Sequence, residues 1–216
     1  MSEWTIHWLE ATGNLQPWRP SIAAEIEATA GIVGSLVKPP RLDVLVERSP
    51  RVIPEIGMVG HAYRHNLFSL TVDPDNPHFE PSLGDGTLRR QVAHEVHHCL
   101  RYAGPGYGKT LGEAMVSEGL AGQFASRLFG SPPEPWERAV DDIEAWRLFP
   151  DRATLASSTY DHNAWFFGAG GRYPRWLGYT LGYMLVARWL RTMSDVDGHV
   201  MVNVPAEKVL SAWSSG

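Results

Sequence analysis

The chain has one cysteine, Cys99, in 216 residues. That excludes an internal disulfide, so nothing in the sequence calls for an oxidising compartment. Long apolar runs are missing as well: the most apolar segment, Tyr179 to Leu190, contains Arg188 and is too short to span a bilayer. The first eight residues, Met1 to Trp8, have neither a basic start nor an apolar stretch of signal-peptide length. A cytoplasmic location is the expectation. Positive charge is not in excess, and a net charge of -5 gives no reason to expect a nucleic-acid or membrane partner. There is no internal repeat, no low-complexity tract and no clear linker, so residues 1–216 are expected to form a single domain. Oligomeric state has no signature in the sequence.

What is present is an ordinary globular composition, 44% hydrophobic and 20% charged. Residues Ser21 to Leu36 have Ile22, Ile26 and Ala30 spaced by four, which predicts a helix with Ser21 as N-cap and Pro39-Pro40 beyond its end. Alternation of Leu42, Val44 and Val46 predicts a strand over Arg41–Arg48, and Asn66–Val72 reads as a second. Asp73-Pro74-Asp75-Asn76-Pro77 is a turn cluster. Helices are predicted at Leu88–Ala103, Leu111–Phe129, Trp136–Phe149, Trp176–Met193 and Ala206–Trp213. Strands come early and helices late, which predicts an α+β fold rather than alternating βαβ units. The strand-rich part runs to about residue 104 and the helical part from about 105 onward.

His94-Glu95-Val96-His97-His98 contains the pattern HExxH. On a helix, positions i and i+4 lie one turn apart on one face, so His94 and His98 can bind one metal ion. Glu95 beside them can accept a proton from the attacking water. Thr87 is a candidate cap for this helix and Gly104-Pro105-Gly106 ends it. Leu88, Val92, Val96, Cys99 and Ala103 form its apolar stripe, roughly opposite the two histidines at about 100° per residue. His97 points away from the ligand pair and reads as a supporting or surface residue. Cys99 falls on the apolar stripe and is expected in the core.

A catalytic zinc needs a third protein ligand and one open position. Two glutamates follow, Glu113 and Glu118. Thr110-Leu111-Gly112-Glu113 has the form of a capping box, which gives Glu113 a structural task. Glu118 instead lies in line with Leu111, Met115 and Gly122, flanked by Ala114, Ala121 and Ala125. A carboxylate on so apolar a face needs a buried basic partner or a metal. We take Glu118 as the third ligand.

These residues resemble the gluzincin pattern of thermolysin-type and aminopeptidase N-type enzymes, in which a glutamate on a following helix completes a zinc site. Here nineteen residues separate His98 from Glu118-Gly119-Leu120-Ala121. The chain most resembles a domain-of-unknown-function family of predicted Zn-dependent proteases. The features it shares are HExxH, Ser117 to Ala121, the aromatic stretch Trp165-Phe166-Phe167-Gly168, and Gly178-Tyr179-Thr180-Leu181-Gly182-Tyr183. The resemblance covers roughly Leu67 to Leu210. It implies a small thermolysin-like (minigluzincin) zincin, with an N-terminal sheet and a helical C-terminal half that carries the metal site.

The resemblance also implies an oxyanion-stabilising phenol. Tyr179-x-x-Gly182 is similar to the Tyr-x-x-Gly that supplies it in aminopeptidase N-type enzymes, with Tyr183 and His162 in reserve. In those enzymes Gly-x-Met-Glu-Asn precedes the zinc helix and its glutamate grips the substrate's amino terminus. This chain has Gly57-Met58-Val59-Gly60-His61-Ala62 there, so aminopeptidase specificity is not implied. By the same analogy the strand near Asn66–Val72 is the edge along which an extended peptide or protein substrate pairs. The expected activity is zinc-dependent peptide hydrolysis with Glu95 as general base. The alternative is a non-catalytic zinc-binding or partner-binding module, against which Glu95 itself argues.

Overall fold

Leu42, Val44 and Val46 are 3% exposed or less and sit near the middle of a four-stranded sheet in the computed structural model, which describes residues 3–214. The strands are β1 (Trp4–Leu9), β2 (Leu42–Arg48), β3 (Met58–Arg64) and β4 (Leu67–Val72), in the spatial order β1-β2-β4-β3. β1 pairs parallel with β2 and β2 parallel with β4, while β3 runs antiparallel along β4 as an edge. The expected strands at 41–48 and 66–72 are present as β2 and β4; the sequence reading missed β1 and β3. It also took β4 for an edge. β4 is paired on both flanks, so no peptide can add to it, and β3 is the free edge on that side.

Three helices belong to the same unit: α1 (Arg19–Val33), α2 (Phe79–Gly84) and α3 (Thr87–Tyr102). α1 starts two residues before Ser21, with Pro at its first turn supplying a helical φ, so Ser21 lies inside the helix and caps nothing. Together β1, α1 and β2 make one βαβ crossover within an otherwise segregated fold. α3 is preceded by Gly86 at φ 86, a left-handed turn that favours glycine. Thr87 is therefore already helical, and its N–H donates to Asp85 Oδ1 at 2.8 Å. α3 packs on β3 and β4 and alongside α1, where Arg89 makes a two-pronged ion pair with Glu25 at 2.5 and 2.8 Å. Leu88, Val92, Val96 and Cys99 are fully buried as the apolar stripe predicts, but Ala103 lies beyond the helix and is exposed.

The chain divides into compact units at Met1–Ala103 and Gly104–Gly216. The second unit is helical: α4 (Leu111–Phe129), α5 (Asp142–Arg147), α6 (Arg152–Leu155), α7 (His162–Phe167), α8 (Leu177–Leu190), α9 (Gly198–Asn203) and α10 (Ala206–Ser214). The expected helix over 136–149 is broken into a 3-10 turn at Pro135–Arg138 and α5. Asp141 is the reason: its carboxylate caps Ile143 N and Glu144 N and starts a new helix. α4 and α8 cross where glycine faces glycine. A Cβ on Gly119 would fall inside the Gly182 carbonyl, and one on Gly182 inside the Met115 carbonyl. Around that crossing Met115, Trp165, Phe166, Leu181 and Leu185 form one cluster, and Val116, Leu120, Val186, Trp189 and Val209 another.

The architecture is thus α+β, with a sheet in the N-terminal half and helices in the C-terminal half, as the element order predicts. Among the described residues no helix is long and apolar enough to cross a membrane.

Candidate metal centre

In the first unit, α3 places His94 and His98 one turn apart with their Nε2 atoms 3.0 Å from each other. Two imidazole nitrogens this close either share a proton or bind a common cation. Tetrahedral zinc with Zn–N bonds of about 2.0–2.1 Å holds its nitrogens roughly 3.3 Å apart, so this pair needs only a slight opening to fit. The donor set matches as well, since imidazole is a preferred zinc ligand. Both rings are buried.

Glu95 follows His94 on the helix and is 6% exposed. It packs against β3 at Gly60: a Cβ there would lie 2.6 Å from Glu95 Oε1. Met58, Gly60 and Ala62 share one face of β3, so the absence of a side chain at 60 is what lets the carboxylate fit. The Cys99 thiol, on the same helix, is pushed up to about 12 by burial and by the Glu95 charge, and it faces the Leu67 carbonyl at 3.7 Å. Cys99 is core, as expected. His97 is fully buried, which removes the surface alternative and leaves the supporting one, while His61 and His65 are exposed on β3 and in the turn after it.

The second unit places the two glutamates in different environments. Thr110 and Glu113 form the expected capping box at the start of α4. Lys109 N and Thr110 N donate to Glu113 Oε2 at 2.7 and 2.9 Å, and these bonds hold the Glu113 carboxyl below the usual glutamate range. Glu118 is 8% exposed on the buried face of α4. The Tyr107 hydroxyl donates to Glu118 Oε1 at 2.7 Å. Burial, then the Glu118 charge, raises the Tyr107 pKa well above the ordinary phenol value. Tyr107 carries no periodic signal in a loop, and the sequence reading missed it, as it missed Gly60.

Around Glu118 the helical unit gathers three of the sequence candidates or their neighbours. Burial lowers the pKa of His162, opposed by the Glu118 charge, and its ring stacks on Phe166 at 4.3 Å. Tyr160 is raised by burial and then by Glu118, and lines a hollow of about 630 Å³ with Trp165, Tyr173 and Arg172. Tyr179 is near enough to Tyr107 for their phenols to interact electrostatically, and its ring meets Phe166 edge-on at 5.1 Å. Tyr183, one turn on, is turned elsewhere: its hydroxyl donates to Ser126 Oγ at 3.2 Å. The aromatic stretch thus packs the start of α8, where a Cβ on Gly178 would meet the Phe166 ring at 2.8 Å.

His94, His98 and Glu118 are all buried and each offers a ligand atom. The sequence profile of one protein family matches residues 26–211, and that family is described as "Predicted Zn-dependent protease (DUF2268)". No curated protein and no solved structure matches the chain.

Proposed function

The chain belongs to this family of predicted Zn-dependent proteases, and we propose that it hydrolyses peptide bonds at a zinc ion held by His94, His98 and Glu118. The observation that carries the reading is the converging Nε2 pair of His94 and His98 with Glu95 buried beside it on the same helix. A purely structural zinc site has no use for that acid. Zinc bound there supplies a Lewis acid that acidifies water and polarises a carbonyl. Glu95 accepts the proton of the attacking water and later delivers it to the leaving amine.

Glu118 is the third ligand in this reading because it is a buried carboxylate that, like His94 and His98, offers a ligand atom to a metal. Tyr179 donates a hydrogen bond from its phenol to the developing oxyanion. Two things favour it over Tyr183: its proximity to Tyr107, which bonds Glu118, and the engagement of the Tyr183 hydroxyl with Ser126. An extended peptide adds to the open edge of β3, the strand that touches Glu95 at Gly60. The hollow beside Tyr160 is large enough for a bulky substrate side chain. We read residues 1–216 as one metallopeptidase domain of the small thermolysin-like (minigluzincin) type, acting on peptides or proteins. One cysteine fits the reducing cytoplasm.

Glu95→Gln tests the reading, because it keeps size and helix propensity but cannot act as a base. Zinc content should persist while hydrolysis of a peptide library falls by orders of magnitude. A zinc-loaded wild type that cleaves nothing in a broad library would give way to the non-catalytic module.

A further inference from the structure

The loop before α4 is fastened to that helix along one line. Lys109 N and Thr110 N donate to Glu113, the Ser117 hydroxyl donates to the Tyr107 carbonyl at 2.7 Å, and the Tyr107 phenol donates to Glu118 Oε1 at 2.7 Å. Gly108 allows the path. It sits at φ +101, where side chains are strained, and a Cβ on it would stand 3.1 Å from Glu113 Oε2. Tyr107 is therefore held twice by neighbouring residues of α4, through its backbone by Ser117 and through its side chain by Glu118.

We propose that Tyr107 is the positioning residue of the metal centre: its phenol fixes the rotation of the Glu118 carboxylate, and Ser117 fixes the phenol. A glutamate side chain has three rotatable bonds, and an unanchored carboxylate must be ordered when it takes up a cation. A hydrogen bond already formed removes most of that cost, the way partners of metal ligands commonly act. The geometry suits the task. The bond is short, its donor is a rigid ring, and the ring's own backbone is tied one residue away from the ligand it orients. This also accounts for Ser117 in the stretch Ser117 to Ala121, where no metal or substrate role calls for a hydroxyl. The inference rests on Glu118 being a zinc ligand.

The test is a double-mutant cycle read as zinc affinity, by titrating the metal-free full-length chain with zinc against a chromogenic chelator. Tyr107→Phe keeps the ring and should weaken zinc binding about 10–100-fold. In a Glu118→Ala background the same substitution should change affinity less than about twofold, because the carboxylate it acts through is gone. Cobalt substituted for zinc should show an altered visible spectrum in Tyr107→Phe, a signature that a change of stability alone would not produce. Ser117→Ala provides a second variant that keeps both phenol and carboxylate, with a smaller loss that also depends on Glu118. Unchanged affinity in Tyr107→Phe and Ser117→Ala, alongside a weakened Glu118→Ala, overturns the positioning role and leaves the ligand assignment standing. Equal losses in both backgrounds reduce Tyr107 to a packing residue. Full zinc affinity in Glu118→Ala overturns the inference together with the ligand assignment it rests on.

Discussion

Gly60 and Glu95 are fitted to each other: a Cβ on the glycine would come within 2.6 Å of Glu95 Oε1 and 2.7 Å of its carboxyl carbon. Strand β3 thus bounds the side chain we assign as the general base. Gly60→Ala should displace that carboxylate while sparing the histidine pair. The expected result is zinc content like that of wild type with kcat lower by about 10²-fold, since displacements near 1 Å are that costly to a reacting group. Parallel metal analysis and peptide kinetics check it. Full activity in the alanine variant would free Glu95 from any dependence on β3.

Glu113 and Glu118 lie on the same helix and should answer differently to removal. Glu118→Ala should weaken zinc binding far more than Glu113→Ala, because three ligands outbind two and Glu113 is occupied by the capping box. Metal retention after dialysis against a mild chelator distinguishes them. Equal retention would remove Glu118 from the site.

Tyr179→Phe deletes a donor and keeps the ring that packs on Phe166. If the phenol stabilises the oxyanion, kcat should fall by about 10²–10³ with KM little changed. Tyr183→Phe is the control, since its hydroxyl bonds Ser126. A crippled Tyr183→Phe or His162→Ala beside a fully active Tyr179→Phe would reassign the electrophile without disturbing the metal ligands.

Backbone N–H groups hold the Glu113 pKa below the glutamate range, so the ionised form favours the folded chain. Its contribution is whole above the unfolded-state pKa and is lost as pH falls through the lower folded one. Glu113→Gln keeps an accepting oxygen but loses the charge, so it should be less stable than wild type by about 0.3–1 kcal/mol at neutral pH, the scale of an exposed carboxylate at a helix start. The difference should shrink as the pH drops below about 4, where carboxylates protonate. Urea midpoints across that range give the answer, and a pH-independent gap would contradict it.

Two glycines should respond with opposite signs. Gly182→Ala puts a methyl into the Met115 carbonyl and forces α4 and α8 apart, at about 1–3 kcal/mol. Gly31, inside α1, has nothing within 4 Å of a built Cβ, so Gly31→Ala should stabilise by about 0.5–1 kcal/mol through helix propensity. Urea denaturation of both variants tests the helix crossing directly.

Where a feature was encoded by nearby residues, the sequence showed it. The histidine pair depends only on helical spacing, and α4 runs over the predicted Leu111–Phe129 because Thr110 and Glu113 mark its start and Gly130 its end. Edge strand β3 was hidden for a reason lodged in another element. Its inward positions read Met58, Gly60 and Ala62, and the middle one is a glycine so that Glu95 of α3 can fit. Alternation fails there because of a neighbour more than thirty residues away. Tyr107 was hidden similarly, since its partners Ser117 and Glu118 become neighbours only when the loop folds back on α4.

The strand order β1-β2-β4-β3 has a consequence for how the protein is made. During synthesis β2 leaves the ribosome soon after β1 and can pair with it, but its other neighbour is not the next strand to emerge. β3 comes first and β4 must then turn back between the two. Until Val72 is available, one flank of β2 presents unpaired backbone donors and acceptors to whatever is nearby. β3 and β4 in turn wait for α3, which packs on them and is translated later still. The nascent N-terminal half thus passes through a stage with an open, apolar sheet edge, when chaperone capture or pairing with another chain competes with folding.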